Sequence, residues 1–365
     1  MQNHKKHQQC LGKMVGCAIL LLSSSISFAK VQSCTAQVLN DVLAPATKQN
    51  TSVKINCHLT LPKHAKVDKQ LIFEGDTASN TSLDCQGAKL QAKFASPSVL
   101  ITSKQSKTGW SVPHDIQIKN CDISNALRIQ GMARNGQGKL LKQSSQQAGH
   151  SKRAQAAAPH TITLDRLILR AGDSNMMYFA PGVHHVTLQN SQFIGQSKAL
   201  GLYLDAESAN NLIKNNVFNV QTKSREVLAI DGSAYNVIQD NRFINAKNGA
   251  IFLYRNCGEG GTIRHQAPTF NRILNNVFVL DQVSKQPQIW LASRNGNRRY
   301  CNADRGFAFG SSENNRDLAT HNEVRDNQIK FSTMQSFAPK AKALMRNFIR
   351  VDEQPNMLKN NTMGQ

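Results

Sequence analysis

Between Leu202 and Phe278 the chain writes one short unit three times, and this repetition limits the possible folds more than any other feature. Leu202-Tyr-Leu-Asp-Ala-Glu-Ser leads to Leu212-Ile-Lys-Asn-Asn-Val-Phe218, and Leu228-Ala-Ile-Asp-Gly-Ser leads to Val237-Ile-Gln-Asp-Asn-Arg-Phe243. Ile251-Phe-Leu-Tyr-Arg-Asn then leads to Arg272-Ile-Leu-Asn-Asn-Val-Phe278. Each unit is two brief apolar alternations around a polar corner. A unit this small cannot bury its own apolar face, so copies must stack on one another.

The second alternation sets the register: an aliphatic residue is followed five places on by another aliphatic residue or an aromatic one. It runs Ile118 to Ile123, Leu164 to Leu169, Leu188 to Phe193, Ile213 to Phe218, Ile238 to Phe243, Ile273 to Phe278, Val324 to Ile329 and Leu358 to Met363. The central steps, 188 to 213 and 213 to 238, are 25 residues each. A strand, crossover helix and return strand need about 30 or more. Asn216, Asn241, Asn276, Asn327 and Asn361 recur at the third place of the alternation. A short amide there can take a left-handed backbone and bond the same atom one rung away. The pattern predicts a parallel β-helix.

These rungs, with the opening Leu83-Asp-Cys-Gln-Gly-Ala-Lys-Leu90, resemble the right-handed parallel β-helix superfamily typified by pectate lyases, over roughly Leu83 to Met363. The resemblance implies an all-β, right-handed solenoid with an N-terminal cap and long loops on one side. It is a likeness of architecture. The Asn-Thr-Asp, Gly-His-Gly and Arg-Ile-Lys motifs of polygalacturonases are absent, and Val112-Pro-His-Asp115 lacks the first acid of the Asp-Pro-His-Asp of mannuronan epimerases. Architecture of this kind hosts many functions.

Lys5, Lys6 and Lys13 precede an apolar run from Met14 to Leu22 and small residues ending at Ala29, the layout of a secretory signal peptide over 1–29. The expected destination is the periplasm or the extracellular space. Residues 30–82 are expected to form the cap and first strands, with a short helix near Gln37 to Leu43; residues 83–365 continue the solenoid, interrupted by a polar, basic insertion at 131–158. Such an insertion reads as a binding or flexible loop. Two further expansions, Asn256 to Pro268 and Arg294 to Arg316, follow the first alternation and should emerge on the same side. No later stretch is apolar for long enough to span a bilayer.

The formal charge is +21, and loss of the first 29 residues with their three lysines leaves +18. Such an excess favours polyanions. For an exported chain the expected partner is an acidic polysaccharide and not nucleic acid, and the chain is expected to act as a monomer. Six cysteines remain after cleavage, and an oxidising compartment favours disulfides over metal ligation. The expected pairs are Cys34 with Cys57, Cys85 with Cys121, and Cys257 with Cys301.

Alternate strand residues face opposite ways. With Leu202, Leu204, Leu228, Ile230, Ile251, Leu253, Ile289 and Leu291 inward, the outward column is Tyr178, Tyr203, Ala229, Phe252 and Trp290, with Asp205, Asp231, Tyr254 and Ala292 beside it. Exposed aromatics along a groove would suit sugar rings; equally, a loop could cover them as a second small core. Asp205 and Asp231 should lie about 5 Å apart on adjacent rungs, where two carboxylates repel by about 3 kcal/mol. A shared proton, a cation or Arg255 would answer that repulsion, and Glu207 adds a third carboxylate.

Pectate lyases hold calcium against the uronate and use Arg or Lys as the base. The resemblance therefore implies calcium at Asp205, Glu207 and Asp231, Arg255 or Arg294 as base and Tyr254 as proton donor. His265, Arg298 and Arg299 would join Tyr178, Tyr203, Phe252 and Trp290 in binding substrate. The expected activity is a polysaccharide lyase acting by β-elimination. The alternatives are a glycoside hydrolase using the carboxylate pair, a uronate epimerase, and a non-catalytic glycan-binding or surface-scaffold protein.

Overall fold

The computed structural model describes residues 31–363 apart from 283, 285, 296–304, 315 and 333–347. The expected signal peptide and the partner proposed for Cys257, Cys301, lie outside the described residues.

The chain coils as a right-handed parallel β-helix. Three sheets of ten parallel strands stand side by side, and each turn of the coil gives one strand to each sheet in the order A, B, C. Sheet A contains Leu127–Gln130, Met177–Phe179, Leu202–Leu204, Leu228–Asp231, Ile251–Tyr254 and Ile289–Leu291 among its strands. The eight aliphatic positions from Ile118 to Leu358 lie in register in sheet B. Their partners five residues on, from Ile123 to Met363, lie in register in sheet C. Phe193, Phe218, Phe243 and Phe278 stack inside the coil with ring centroids 4.5, 4.6 and 5.2 Å apart.

The asparagine ladder forms as the repeat implies. Asn241 Nδ2 donates to Asn276 Oδ1 (3.0 Å) and to the Ile213 carbonyl (2.8 Å), while its Oδ1 accepts from Asn216 N and Nδ2. Asn276 does the same toward Asn327, and Asn327 toward Asn361. The left-handed residue is the one before each ladder amide, not the amide itself: Asn215, Asp240, Asn275, Asp326 and Asn360 all have φ between 51° and 57°. The outer Asn or Asp absorbs the turn, and the ladder amide stays inside to bond. A second ladder, unforeseen, runs through Asn211, Asn236, Asn271, Asn322 and Asn356 at the other end of sheet B.

The first complete rung is Ser52–Lys54, Leu59–Thr60 and Lys66–Val67, within the segment expected to hold the cap and first strands. Helix α1 (Ala36–Leu43) caps that end: buried Lys69 Nζ donates to the Asp41 carbonyl, and a disulfide joins Cys34 to Cys57. Cys85 and Cys121 form the second expected bridge, and Cys257 is also disulfide-bonded. No described helix is long and apolar enough to cross a membrane.

The insertion differs from expectation. Where a loop was anticipated, residues 139–156 form two helices, α2 (Lys139–Ser145) and α3 (His150–Ala156), which bury Leu141 and Ala154. The insertion leaves the coil between sheets A and B, as do the expansions after Tyr254 and Leu291. All three therefore gather on one side.

In urea denaturation Asn241→Ala is expected to cost about 3 kcal/mol, because it strands buried partners in two neighbouring rungs. Asn215→Gly, at a left-handed corner, should change stability by less than about 0.5 kcal/mol. Equal effects at the two positions would contradict the division of labour between them.

Candidate functional site

Register places the expected column on the outer face of sheet A: Tyr178 pairs with Tyr203, Tyr203 with Ala229, Ala229 with Phe252, and Phe252 with Trp290. Asp231 pairs with Tyr254 in the column beside it. The eight inward aliphatics are all fully buried. The outward column is not an open row of aromatics. Leu200, Ala229, Phe252 and Tyr254 form a second small core, with Tyr203 and Trp290 half-buried at its margin.

Tyr178 and Tyr203 each reach one rung forward. Tyr178 and Tyr203 stack 5.0 Å apart, and their hydroxyls donate to Asp205 Oδ2 and Asp231 Oδ2 respectively, the latter over 2.6 Å. Asp231 also accepts from Asn256 N and Nδ2, both at 2.7 Å. Asp205 accepts from Ala206 N and faces Arg264 Nη1 at 3.3 Å. Arg264, not Arg255, therefore answers the acidic pair. Arg255 gives its Nη2 to Asn314 Oδ1 and the Arg316 carbonyl, and its backbone N–H to Asp317.

Burial pushes the Asp205 carboxyl up; Arg264 opposes that rise and Asp231 adds to it. Burial likewise raises Glu207, against the hydrogen bond from Ser151. Burial and then the facing carboxylates raise Tyr178, Tyr203 and Tyr254 well above the ordinary phenol range.

The insertion and the loop after Tyr254 close over these groups. Ser151 Oγ donates to Glu207 Oε2, Gln155 Nε2 donates to the Glu207 carbonyl, and His265 N donates to Glu207 Oε1. The His265 ring bonds the Ser145 carbonyl through Nε2 and meets His150 edge-on. Burial, then the proximity of His265, lowers His150 to a pKa of about 3. Helix α3 seats directly on Gly182, where a Cβ would come within 2.2 Å of the Ala154 carbonyl oxygen.

Asp205, Glu207 and Asp231 do not suit a calcium ion as placed. Their oxygens already receive O–H and N–H donors from the protein, and a guanidinium stands beside Asp205 where a cation would sit. Among the described residues no group of three or more His, Cys, Asp or Glu is arranged to hold a metal.

A second cluster went unnoticed in the sequence. Buried Glu226 takes a two-nitrogen grip from Arg225 and a hydrogen bond from the Tyr254 hydroxyl. Burial works to raise its carboxyl, but the guanidinium groups of Arg225 and Arg294, with a backbone hydrogen bond, together hold it below the usual range. Arg294 lies 3.7 Å over the Tyr254 ring, donates to Asn256 Oδ1, and keeps 23% of its side chain exposed. Arg128 covers the Tyr178 ring and Arg350 the Trp290 ring. The accessible part of this face therefore presents Tyr203, Trp290 and four arginines, while the carboxylates lie beneath. Arg298 and Arg299 lie outside the described residues.

No family model matches the chain, and no curated protein matches it in sequence. Among solved structures it is similar to an alginate lyase from Paenibacillus sp. str. FPU-7, at 10% identity and a TM-score of 0.41 over 92% of this chain and 99% of that one. It is similar to the Streptococcus pneumoniae surface protein and adhesin PfbA, at 11% and 0.38 over 86% and 87%. A mannuronic acid specific polysaccharide family 6 lyase from human gut microbiota gives 10% and 0.34 over 87% and 80%. Likeness this distant assigns no activity.

Two outcomes check this geometry. An unfolded phenol ionises near pH 10, whereas the folded chain keeps three protons beyond that point. The stability these tyrosines contribute is present below about pH 10 and falls as the pH rises past it. Spectrophotometric titration should show three phenols ionising only as the chain unfolds; early ionisation of all three in folded protein would contradict their burial. Gly182→Ala, which also strains a backbone at φ +87°, should lift α3 and speed limited proteolysis within 131–158. Unchanged cleavage would mean that the helix is not seated as described.

Proposed function

We propose that the protein is exported and acts on an acidic, uronate-containing polysaccharide along the outer face of sheet A, cleaving it by β-elimination. The observation that carries this reading is the pairing of half-buried Tyr203 with Asp231 at 2.6 Å, next to the partly exposed guanidinium of Arg294. The two disulfides accord with an oxidising destination.

In this reading the partly exposed guanidinium of Arg294 holds the uronate carboxylate, with the charge of Arg225, whose Nε and Nη2 stay on Glu226, behind it. Their charge acidifies the adjacent C5–H. The C5 proton passes to Tyr203 Oη as the Tyr203 proton passes to Asp231 Oδ2. The C5 electrons form the C4–C5 double bond, the C4–O4 bond breaks, and the proton returns through Tyr203 to O4. Asn256, holding both Asp231 oxygens, keeps the acceptor aimed at the phenol. The step uses protein groups only, and chelators should leave it unchanged.

A non-catalytic glycan-binding protein is the second reading. It is favoured by the closure of Asp205, Glu207 and Asp231, each at most 1% exposed. Arginines and aromatics at the surface would then suffice for binding.

The test is incubation with alginate, pectate and glycosaminoglycans while following unsaturated-uronate absorbance and reducing ends together. The expected result is that both rise, with and without chelator. Tyr203→Phe should lower turnover by about a hundredfold or more with little change in binding. Arg294→Ala should weaken binding by about tenfold or more. Reducing ends without absorbance would point to hydrolysis and sink the elimination. Binding without either signal would leave the second reading.

A further inference from the structure

A cavity of about 670 Å³ opens where the chain passes from sheet C to sheet A, away from the insertion and the two expanded loops. Three successive turns build it, with Phe94 from the first, Asn125 from the second, and Arg170, Asp173 and Met176 from the third. Phe94 is half-exposed, at 50%, although nothing local compels a large aromatic on a corner. The floor is close-packed: Met176 is buried, and Asn125 Nδ2 is tied to the Ala92 carbonyl at 2.9 Å. Gly172 faces open space, with no atom within 4 Å of where its Cβ would stand.

Arg170 gives this hollow a chemical preference. Asp122 takes its Nε and Nη2 at 2.7 and 2.8 Å, which fixes the plane of the guanidinium. Its third nitrogen, Nη1, has no partner among the described residues and is free to donate to a ligand. A preorientated guanidinium with a spare donor favours a carboxylate, and an exposed aromatic ring favours the apolar face of a sugar. The cavity also borders sheet A. Met176 and Ala126, which line it, immediately precede the strands that carry Tyr178 and Arg128, register partners whose ring and guanidinium lie 4.2 Å apart.

We infer that this cavity is an outlying subsite for an anionic sugar unit of the polysaccharide, with Phe94 under the ring and Arg170 Nη1 on the carboxylate. The inference rests on the proposed action at sheet A. Phe94 leads into the strand Val99–Thr102, three rungs before Leu202–Leu204, which carries Tyr203, about 14 Å along the axis. Only a chain of several sugars can occupy both Phe94 and Tyr203, so the subsite selects long substrates.

Calorimetry on the slow Tyr203→Phe protein tests this with uronate disaccharides and with oligomers extending well beyond about 14 Å, both prepared from alginate and pectate. Adding Phe94→Ala is expected to weaken long-oligomer binding about tenfold, near 1.4 kcal/mol, and to leave disaccharide binding unchanged. Arg170→Gln should act in the same direction, while Arg294→Ala should weaken both lengths. If Arg294→Ala weakens binding but Phe94→Ala changes nothing, the subsite is wrong and the sheet A reading stands. If Phe94→Ala weakens disaccharides as much as long oligomers, the cavity is the principal site and not an outlying one. No binding at either length overturns both.

Discussion

The whole molecule depends on vertical register, and buried amides hold that register. Two ladders of asparagine run along the ends of sheet B, each amide before the last donating to the one beyond it, and those of Asn216, Asn241, Asn276 and Asn327 also to a carbonyl on the preceding rung. A parallel sheet would tolerate a slip of two residues with its inward and outward faces preserved. The ladders do not, because a shifted amide would leave its donors buried and unpaired. Everything outside the coil inherits this precision. Tyr203 meets Asp231 because Leu202 is locked opposite Leu228 and Leu204 opposite Ile230.

The sheet A face shows how a solenoid can place charge under cover. Four arginines and the edges of two aromatic rings reach the surface, and the carboxylates they serve lie beneath with every visible donor already supplied by protein. Buried charge is tolerated only when paired and hydrogen-bonded. Arg264 and Asn256 meet that demand. The cost is restricted access, and the small helical insertion determines much of it. Its contacts with Glu207 and His265 are largely polar.

The coil was legible in the sequence because its interactions are periodic. Leu188, Ile213 and Ile238 are spaced by one turn, and an aliphatic residue with an aromatic five places on marks two sheets at once. The second ladder is periodic too, since Asn211, Asn236, Asn271 and Asn322 each stand two residues before a core aliphatic. It is less conspicuous because no aromatic residue marks that end of the repeat. The cover was not legible. Ser151 reaches Glu207 across 56 residues and Ile263 reaches Ser145 across 118, and no period announces such a contact. Arg255 looked like the natural partner of the acidic pair because it follows Tyr254 directly. The loop instead brings Arg264 inward and turns Arg255 toward Asn314. Glu226 carried one faint signal, as the charged residue two places before Leu228 where the neighbouring rungs have Leu200 and Gly249.

The central claim is that a uronate sits with its carboxylate on Arg294 and its C5–H at Tyr203. A crystal structure of Tyr203→Phe soaked with a uronate oligosaccharide tests it most directly. The account predicts the sugar on the outer face of sheet A, its carboxylate gripped by the Arg294 guanidinium and its C5 against the ring edge of residue 203. An oligosaccharide bound elsewhere, or turned so that its carboxylate points away from Arg294, would contradict it.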